Sequence, residues 1–154
     1  MTGTNLLPRR ARASDAAAVR DLTRQSYAKW IPVIGREPKP MAADYEASVR
    51  LHRVDVMEDA TGLLALIVMI PEPGHLLIES IAVREDWQGK GLGTLLLRHA
   101  EEVAQSSGLA ELRLYTNAAF ASNLAFYAHH GYGETARTPL SDGGTMVHFA
   151  KTVS

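Results

Sequence analysis

The chain has 154 residues, 46% of them hydrophobic, with 16 basic and 17 acidic side chains and a formal net charge of −1. That balance fits a globular protein and argues against a general nucleic-acid binder, and no apolar run approaches the roughly 20 residues that span a bilayer. With no cysteine, thiol catalysis, thiolate zinc sites and disulfides are excluded. A chain of this length fits one domain, residues 1–154, which can bury about two-thirds of its unfolded surface without a disulfide or metal staple. The N-terminal MTGTNLLPRRARASD has basic residues but no apolar signal core after them, so a soluble, cytoplasmic protein is expected.

In chain order, Leu6 to Ala13 reads as a short edge strand, and Ser14 or Asp15 can cap the helix that follows. Val19, Leu22, Thr23, Ser26 and Trp30 recur at helical spacing, and the helix is expected to end by Ile31 because Pro32 disfavours helical geometry before it. Ile31 to Met41, with three prolines and a glycine, reads as a stiff loop, and Ala42 to Leu51 as a second short helix. From His52 the period changes. Val54, Val56 and Met57 mark a strand to Glu58, and Asp59 to Gly62 a turn. Leu63 to Ile70 forms an apolar strand, broken at Pro71-Glu72-Pro73-Gly74, and Leu76 to Val83 a third.

A glycine-rich turn then feeds an amphipathic helix with Leu92, Leu95, Leu96, Ala100 and Val103 on one face, closed by Gly108. Glu111 to Thr116 is a strand, Asn123 to His130 a helix closed by Gly131, and Tyr132 to Arg137 and Thr145 to Val153 a final strand pair. The strand–helix–strand unit should be a right-handed parallel crossover. The whole predicts an α+β architecture: a mixed, twisted, mostly antiparallel sheet of about seven strands with helices on both faces.

The turn Gln88-Gly89-Lys90-Gly91-Leu92-Gly93 lies where a helix presents unpaired N–H groups and the positive end of its dipole, an anion-binding arrangement. It lacks the GK[ST] ending of a P-loop. Thr94 stands where a dinucleotide fingerprint would need its third glycine, so a nucleotide-phosphate binder is disfavoured. By itself the turn is equally a tight strand-to-helix connection. Glu79 sits within a mostly apolar strand, where a carboxylate needs a partner or a chemical role. It pairs with a buried arginine, faces solvent on an edge, or does chemistry. On spacing alone Tyr127 packs beside Phe126, and Asn123 caps a helix. His129 and His130 are about 100° apart on a helix and form no chelating pair; no metal site is expected. Lys90 and Arg84 are surface charges or phosphate contacts.

The turn resembles the pyrophosphate signature of the GNAT acetyltransferase family, (Gln/Arg)-x-x-Gly-x-(Gly/Ala), at Gln88, Gly91 and Gly93. IESIAVRED is similar to that family's central strand, and LYTNAAFASNLAFYAHHGYGE to its second conserved region, with Asn123, Tyr127, Gly131 and Tyr132 matching. MVHFAKTV resembles the last strand of many members. The resemblance spans Arg9 to Val153 and implies the acyl-CoA N-acyltransferase fold, acetyl-CoA as co-substrate and a primary amine as acceptor. It implies pantetheine along Ile81, Ala82 and Val83, and pyrophosphate on Gln88, Gly89, Lys90, Gly91, Leu92, Gly93 and Thr94. Asn123 and Tyr127 would also contact the cofactor. Glu79 would act as general base, directly or through water, Tyr127 as general acid toward the departing sulfur, and the Val83 N–H as oxyanion donor. With no cysteine and no evident Ser–His pair, attack would be direct.

On the acceptor side the segment after the first helix commonly shapes substrate choice, and Tyr27, Trp30, Arg36 and Glu37 are the candidates: Glu37 for an ammonium, Arg36 for a carboxylate. Amino acid, polyamine, antibiotic, protein N-terminus and peptide lysine all stand open as acceptor, and a homodimer through the last strands is a family-level expectation. The alternative function is a non-catalytic acyl-CoA-binding module of the same fold.

Overall fold

The structure, a computed structural model, describes residues 6–153. Its strands are β1 Arg9–Arg10, β2 Arg53–Asp59, β3 Gly62–Glu72, β4 His75–Val83, β5 Glu111–Asn117, β6 Gly133–Pro139 and β7 Thr145–Thr152. They form a seven-stranded sheet in the order β1-β2-β3-β4-β5-β7-β6. All neighbours are antiparallel except β4 and β5. That pair is joined by a helix, α4 Leu92–Ser106, since a parallel pair needs a crossover and cannot close with a hairpin. The mixed α+β sheet expected from the element order is the one observed.

Each face of the sheet has its own core. On one face α4 lays down Leu92, Leu96, Leu97 and Ala100 against Met57, Ile67, Ile78 and Leu112; α5 Ala121–His129 adds Leu124, Phe126 and Tyr127 at its margin. On the other face Val19 and Leu22 of α1 Ala16–Tyr27, with Tyr45, cover Val54, Val56, Leu66, Val68 and Ala82. Burying each such aliphatic side chain contributes about 1.5–3 kcal/mol, so the two cores hold the sheet rigid beneath any site built on it.

Four boundaries differ from expectation, each for a local reason. The edge strand expected over Leu6–Ala13 contracts to Arg9–Arg10, the only described residues of that stretch in register with β2. Pro32 begins a helix instead of stopping one. After a 3-10 turn at Ala28–Trp30 it lies in the first turn of α2 Ile31–Ile34, where its missing N–H would have had no helical partner. Strand β3 continues through Pro71 to Glu72. Pairing with β2 stops at Met69, so Pro71 faces a free edge, where proline is tolerated. Finally, α5 starts at Ala121, placing Asn123 inside the first turn and not ahead of it. The second helix is α3 Tyr45–Leu51, capped by the Asp44 carboxylate on Ala47 N–H.

Candidate active site

The sheet opens at its parallel seam. Strands β4 and β5 pair only at Leu76 with Leu112 and Leu77 with Arg113, although β4 runs on to Val83 and β5 to Asn117. The register identifies which backbone groups face the opening. Arg84 N–H donates to Leu64 O at 2.8 Å, and β3 sets Ala65 opposite Val83 and Leu66 opposite Ala82. Bonded and non-bonded pairs alternate along an antiparallel ladder, so Ala82 bonds to β3 while Ile81 and Val83 turn their N–H and C=O groups toward the gap. Two side chains cap those carbonyls: the Tyr27 hydroxyl donates to Ile81 O at 3.3 Å and Gln88 Nε2 to Val83 O at 3.0 Å.

A bulge positions Glu79. Val68 faces Ser80 and Met69 faces Ile78, which leaves Glu79 as the extra residue. The strand turns over there. Leu76 and Ile78 lie in the α4 core, and past the bulge Ile81 and Val83 pack against that same core while Ala82 lies in the α1 core. Glu79 lines a cavity of about 240 Å³ with Tyr115, Phe120 and Arg36. It is partly buried, makes no ion pair among the described residues, and sits in the middle of the sheet. Neither a buried arginine partner nor a position on an outer strand accounts for it.

A larger cleft, about 800 Å³, runs from Ile81 and Val83 past the glycine turn to Arg98 and is bounded by Asn123 and Tyr127. Tyr27 lines both spaces. Above it Trp30 and Phe120 stack, with centroids 4.3 Å apart and planes at 17°; Trp30 lines the cleft and Phe120 the small cavity. The two spaces therefore share a wall at Tyr27, whose hydroxyl lies on Ile81 O at the free edge of β4.

The glycine turn is built for an anion. Gly89 and Gly91 have φ of 79° and 87°, left-handed geometry that other residues adopt only at a cost, and Gly91 is the N-cap of α4. The first helical bond runs from Leu95 N–H to Gly91 O at 3.1 Å, so the N–H groups of Leu92, Gly93 and Thr94 have no intrahelical acceptor and lie at the positive end of the dipole. Gly93 is small for another reason: a Cβ there would lie 3.0 Å from Phe126 Cζ. His130, the C-cap of α5, steadies the turn. Its Nδ1 bonds Phe126 O at 2.8 Å, which in the neutral ring requires Nδ1–H, so Nε2 accepts from the Thr94 hydroxyl at 2.9 Å. The Lys90 ammonium sits 5.1 Å from the Trp87 ring centroid.

A family model described as the Acetyltransferase (GNAT) family matches residues 17–132. The chain belongs to the GNAT acetyltransferase family. Streptothricin acetyltransferase A of Bacillus subtilis (strain 168) is 42% identical over 59 residues, a match covering 38% of this chain and 34% of that protein; the matched stretch thus spans only about a third of the relative. Among solved structures, the ribosomal-protein-S18-alanine N-acetyltransferase of Escherichia coli superposes with a TM-score of 0.78 at 19% identity, covering 97% of this chain and 95% of the other. A GNAT family acetyltransferase from Elizabethkingia anophelis with acetyl-CoA bound gives 0.73 at 15% identity, covering 97% and 99%. These likenesses establish the fold. No helix among the described residues is long and apolar enough to cross a membrane.

Within this GNAT chain, the other candidate residues fall on both sides of the junction. Burial pushes the Tyr127 hydroxyl far above its ordinary range, and its ring packs against Phe126, Tyr132 and Phe149 at 5.4–6.0 Å; it stays protonated and keeps an O–H to donate. Asn123 lines the cleft and its Nδ2 reaches Thr116 Oγ1 at 3.4 Å, tying α5 to the end of β5. Ala82 presents neither its backbone nor its side chain to the cleft. Tyr27 is partly buried with its hydroxyl on Ile81 O, and desolvation there drives that hydroxyl above the usual tyrosine range. Arg36 reaches the small cavity, whereas Glu37 lines neither space and pairs with Arg24 at 3.0 Å. The Arg24 guanidinium also donates to Met41 O at 2.8 Å and the Tyr45 hydroxyl to Pro40 O at 2.7 Å, so the proline segment is a fixed wall. Tyr115, Phe120, His130 and Asp142 escape the sequence reading. An aromatic three residues before Asn123 is a usable signal for Phe120. No local signal marks Asp142, whose partner Arg36 is 106 positions away.

Proposed function

We propose that this chain transfers an acetyl group from acetyl-CoA to a primary amine by direct attack. The observation that supports it most is the junction: a free strand edge at Ile81 and Val83 joins an anion-binding turn on one side to an unpaired carboxylate, Glu79, on the other. Acetyl-CoA supplies an activated thioester. The N–H groups of Gly89 to Thr94 hold its pyrophosphate, with Gln88 and Lys90 at the rim, and the Ile81 and Val83 edge binds the pantetheine amides as an added strand would. Gln88 and Tyr27 give up or share the carbonyls they cap.

The acceptor enters from the small cavity. An alkyl ammonium, with an ordinary pKa of about 10.4, must lose a proton before it attacks, and Glu79 takes that proton directly or through a water. The Val83 N–H stabilises the developing oxyanion. Tyr127 donates a hydrogen bond to the departing sulfur. Its raised pKa makes full proton transfer to a thiolate of ordinary pKa near 8.5 unfavourable, so stabilising the thiolate is its contribution.

The test is CoA release across an amine panel with wild-type protein, Glu79→Gln and Tyr127→Phe. The expected result is turnover of at least one amine and a loss of about 10²–10⁴-fold in either variant, with CoA affinity within a few-fold of wild type. Tight CoA binding without turnover of any amine would establish the alternative, a non-catalytic acyl-CoA-binding module.

A further inference from the structure

The small cavity holds charges of both signs. The sheet lines it with Glu79, Tyr115, Thr116 and Asn117, and the segment between α2 and α3 with Arg36 and Lys39. Phe120, Leu140 and Met146 add apolar lining. Glu79 and Lys39 form no ion pair among the described residues. Arg36 is only partly committed: Nε donates to Asp142 at 2.8 Å and Nη1 to Glu37 O at 3.3 Å, leaving Nη2 and part of the guanidinium fork open. Asp142, on the turn between β6 and β7, does not line the cavity; it is held by Gly144 N–H at 2.9 Å and accepts from Arg36 Nε, which fixes the guanidinium.

We propose that the acceptor is a compact amino acid or amino-acid-like zwitterion: its ammonium lies at Glu79, its carboxylate at Arg36 with Lys39, and its apolar side chain against Phe120, Leu140 and Met146. The inference rests on the acetyltransferase reading and narrows its substrate class. Three observations carry it. A cavity of about 240 Å³ is smaller than the roughly 300–1,000 Å³ of drug-sized ligand sites, so bulky multi-ring amines do not fit. A polyamine would bring extra positive charge against Arg36 and Lys39, a repulsive element that selects against it. A carboxylate meets a guanidinium through short, charge-assisted bonds, and a site built for such a group discriminates strongly against an analogue that lacks it.

The experiment compares L-leucine, leucinamide and spermidine by CoA release in wild-type protein, Arg36→Ala and Arg36→Lys. Leucinamide keeps the carbon skeleton but lacks the anion, and its less basic amine is intrinsically easier to deprotonate, so a preference for leucine cannot come from amine basicity. The wild type is expected to favour leucine over leucinamide by about 10-fold or more in kcat/KM, with spermidine poorest. Arg36→Ala should cut the leucine-to-leucinamide ratio by about 10-fold, mainly through KM, and Arg36→Lys should restore part of it. Leucinamide or spermidine used as well as leucine would overturn the inference while leaving the transferase reading standing. So would an unchanged ratio in an Arg36→Ala protein that still binds CoA. Turnover of none of these, nor of any amine in a broad panel, would overturn the transferase reading and this inference with it.

Discussion

At the scale of single residues, unpaired and paired carboxylates divide the work. Glu79 is left without an ion-pair partner at a bulge, which is what a base needs; Asp55, only 1% exposed, is fully engaged by His99 and Arg53. Burial alone would raise the Asp55 carboxyl, but the bonds from His99 and Arg53 outweigh it and hold its pKa below the ordinary 3.8. A folded-state pKa below the unfolded one means that Asp55 stabilises the protein above about pH 4 and loses that contribution as pH falls through its folded value. Asp55→Asn should therefore cost about 1–3 kcal/mol at pH 7 and flatten the fall in stability on acidification, read from denaturant melts at pH 7 and pH 3. Glu79 could be singled out from sequence because a lone acid stood in an apolar strand. Its place in a bulge could not, because the extra residue exists only relative to β3.

At the scale of elements, the glycine turn was legible because its instructions are local: left-handed glycines, then a helix with an apolar face. Gly91→Ala should cost about 1–2 kcal/mol through its left-handed backbone and weaken CoA binding by about 10-fold or more, measured by calorimetry with the fold checked by circular dichroism. A variant that binds CoA normally would mean that the turn does not cradle the pyrophosphate. The proline segment was less legible. Reading it as a loop missed α2 and the 3-10 turn Lys39–Ala42, since what fixes it is the reach of Arg24 to Glu37 and Met41 and of Arg36 to Asp142. The same long reach explains why Glu37, a natural candidate for binding an ammonium, is instead engaged by Arg24.

At the scale of the molecule, the order of elements and their hydrophobic periods sufficed for the fold class, because short turns join antiparallel neighbours and a parallel pair needs a crossover of the kind α4 supplies. The opening of that seam was not readable, since it depends on where β4 and β5 stop pairing, a contact between segments some 35 residues apart. Yet that opening borders Tyr27, the residue both cavities share, and is where the cofactor is proposed to bind. Hydrogen exchange resolved to single amides, with and without acetyl-CoA, tests it most directly. Acetyl-CoA is expected to slow exchange at the N–H groups of Ile81 and Val83 and across Gly89–Thr94, while ATP and NAD at equal concentration leave Ile81 and Val83 unprotected. Unchanged exchange at Ile81 and Val83 under saturating acetyl-CoA, or equal protection by ATP, would contradict cofactor binding at the open seam.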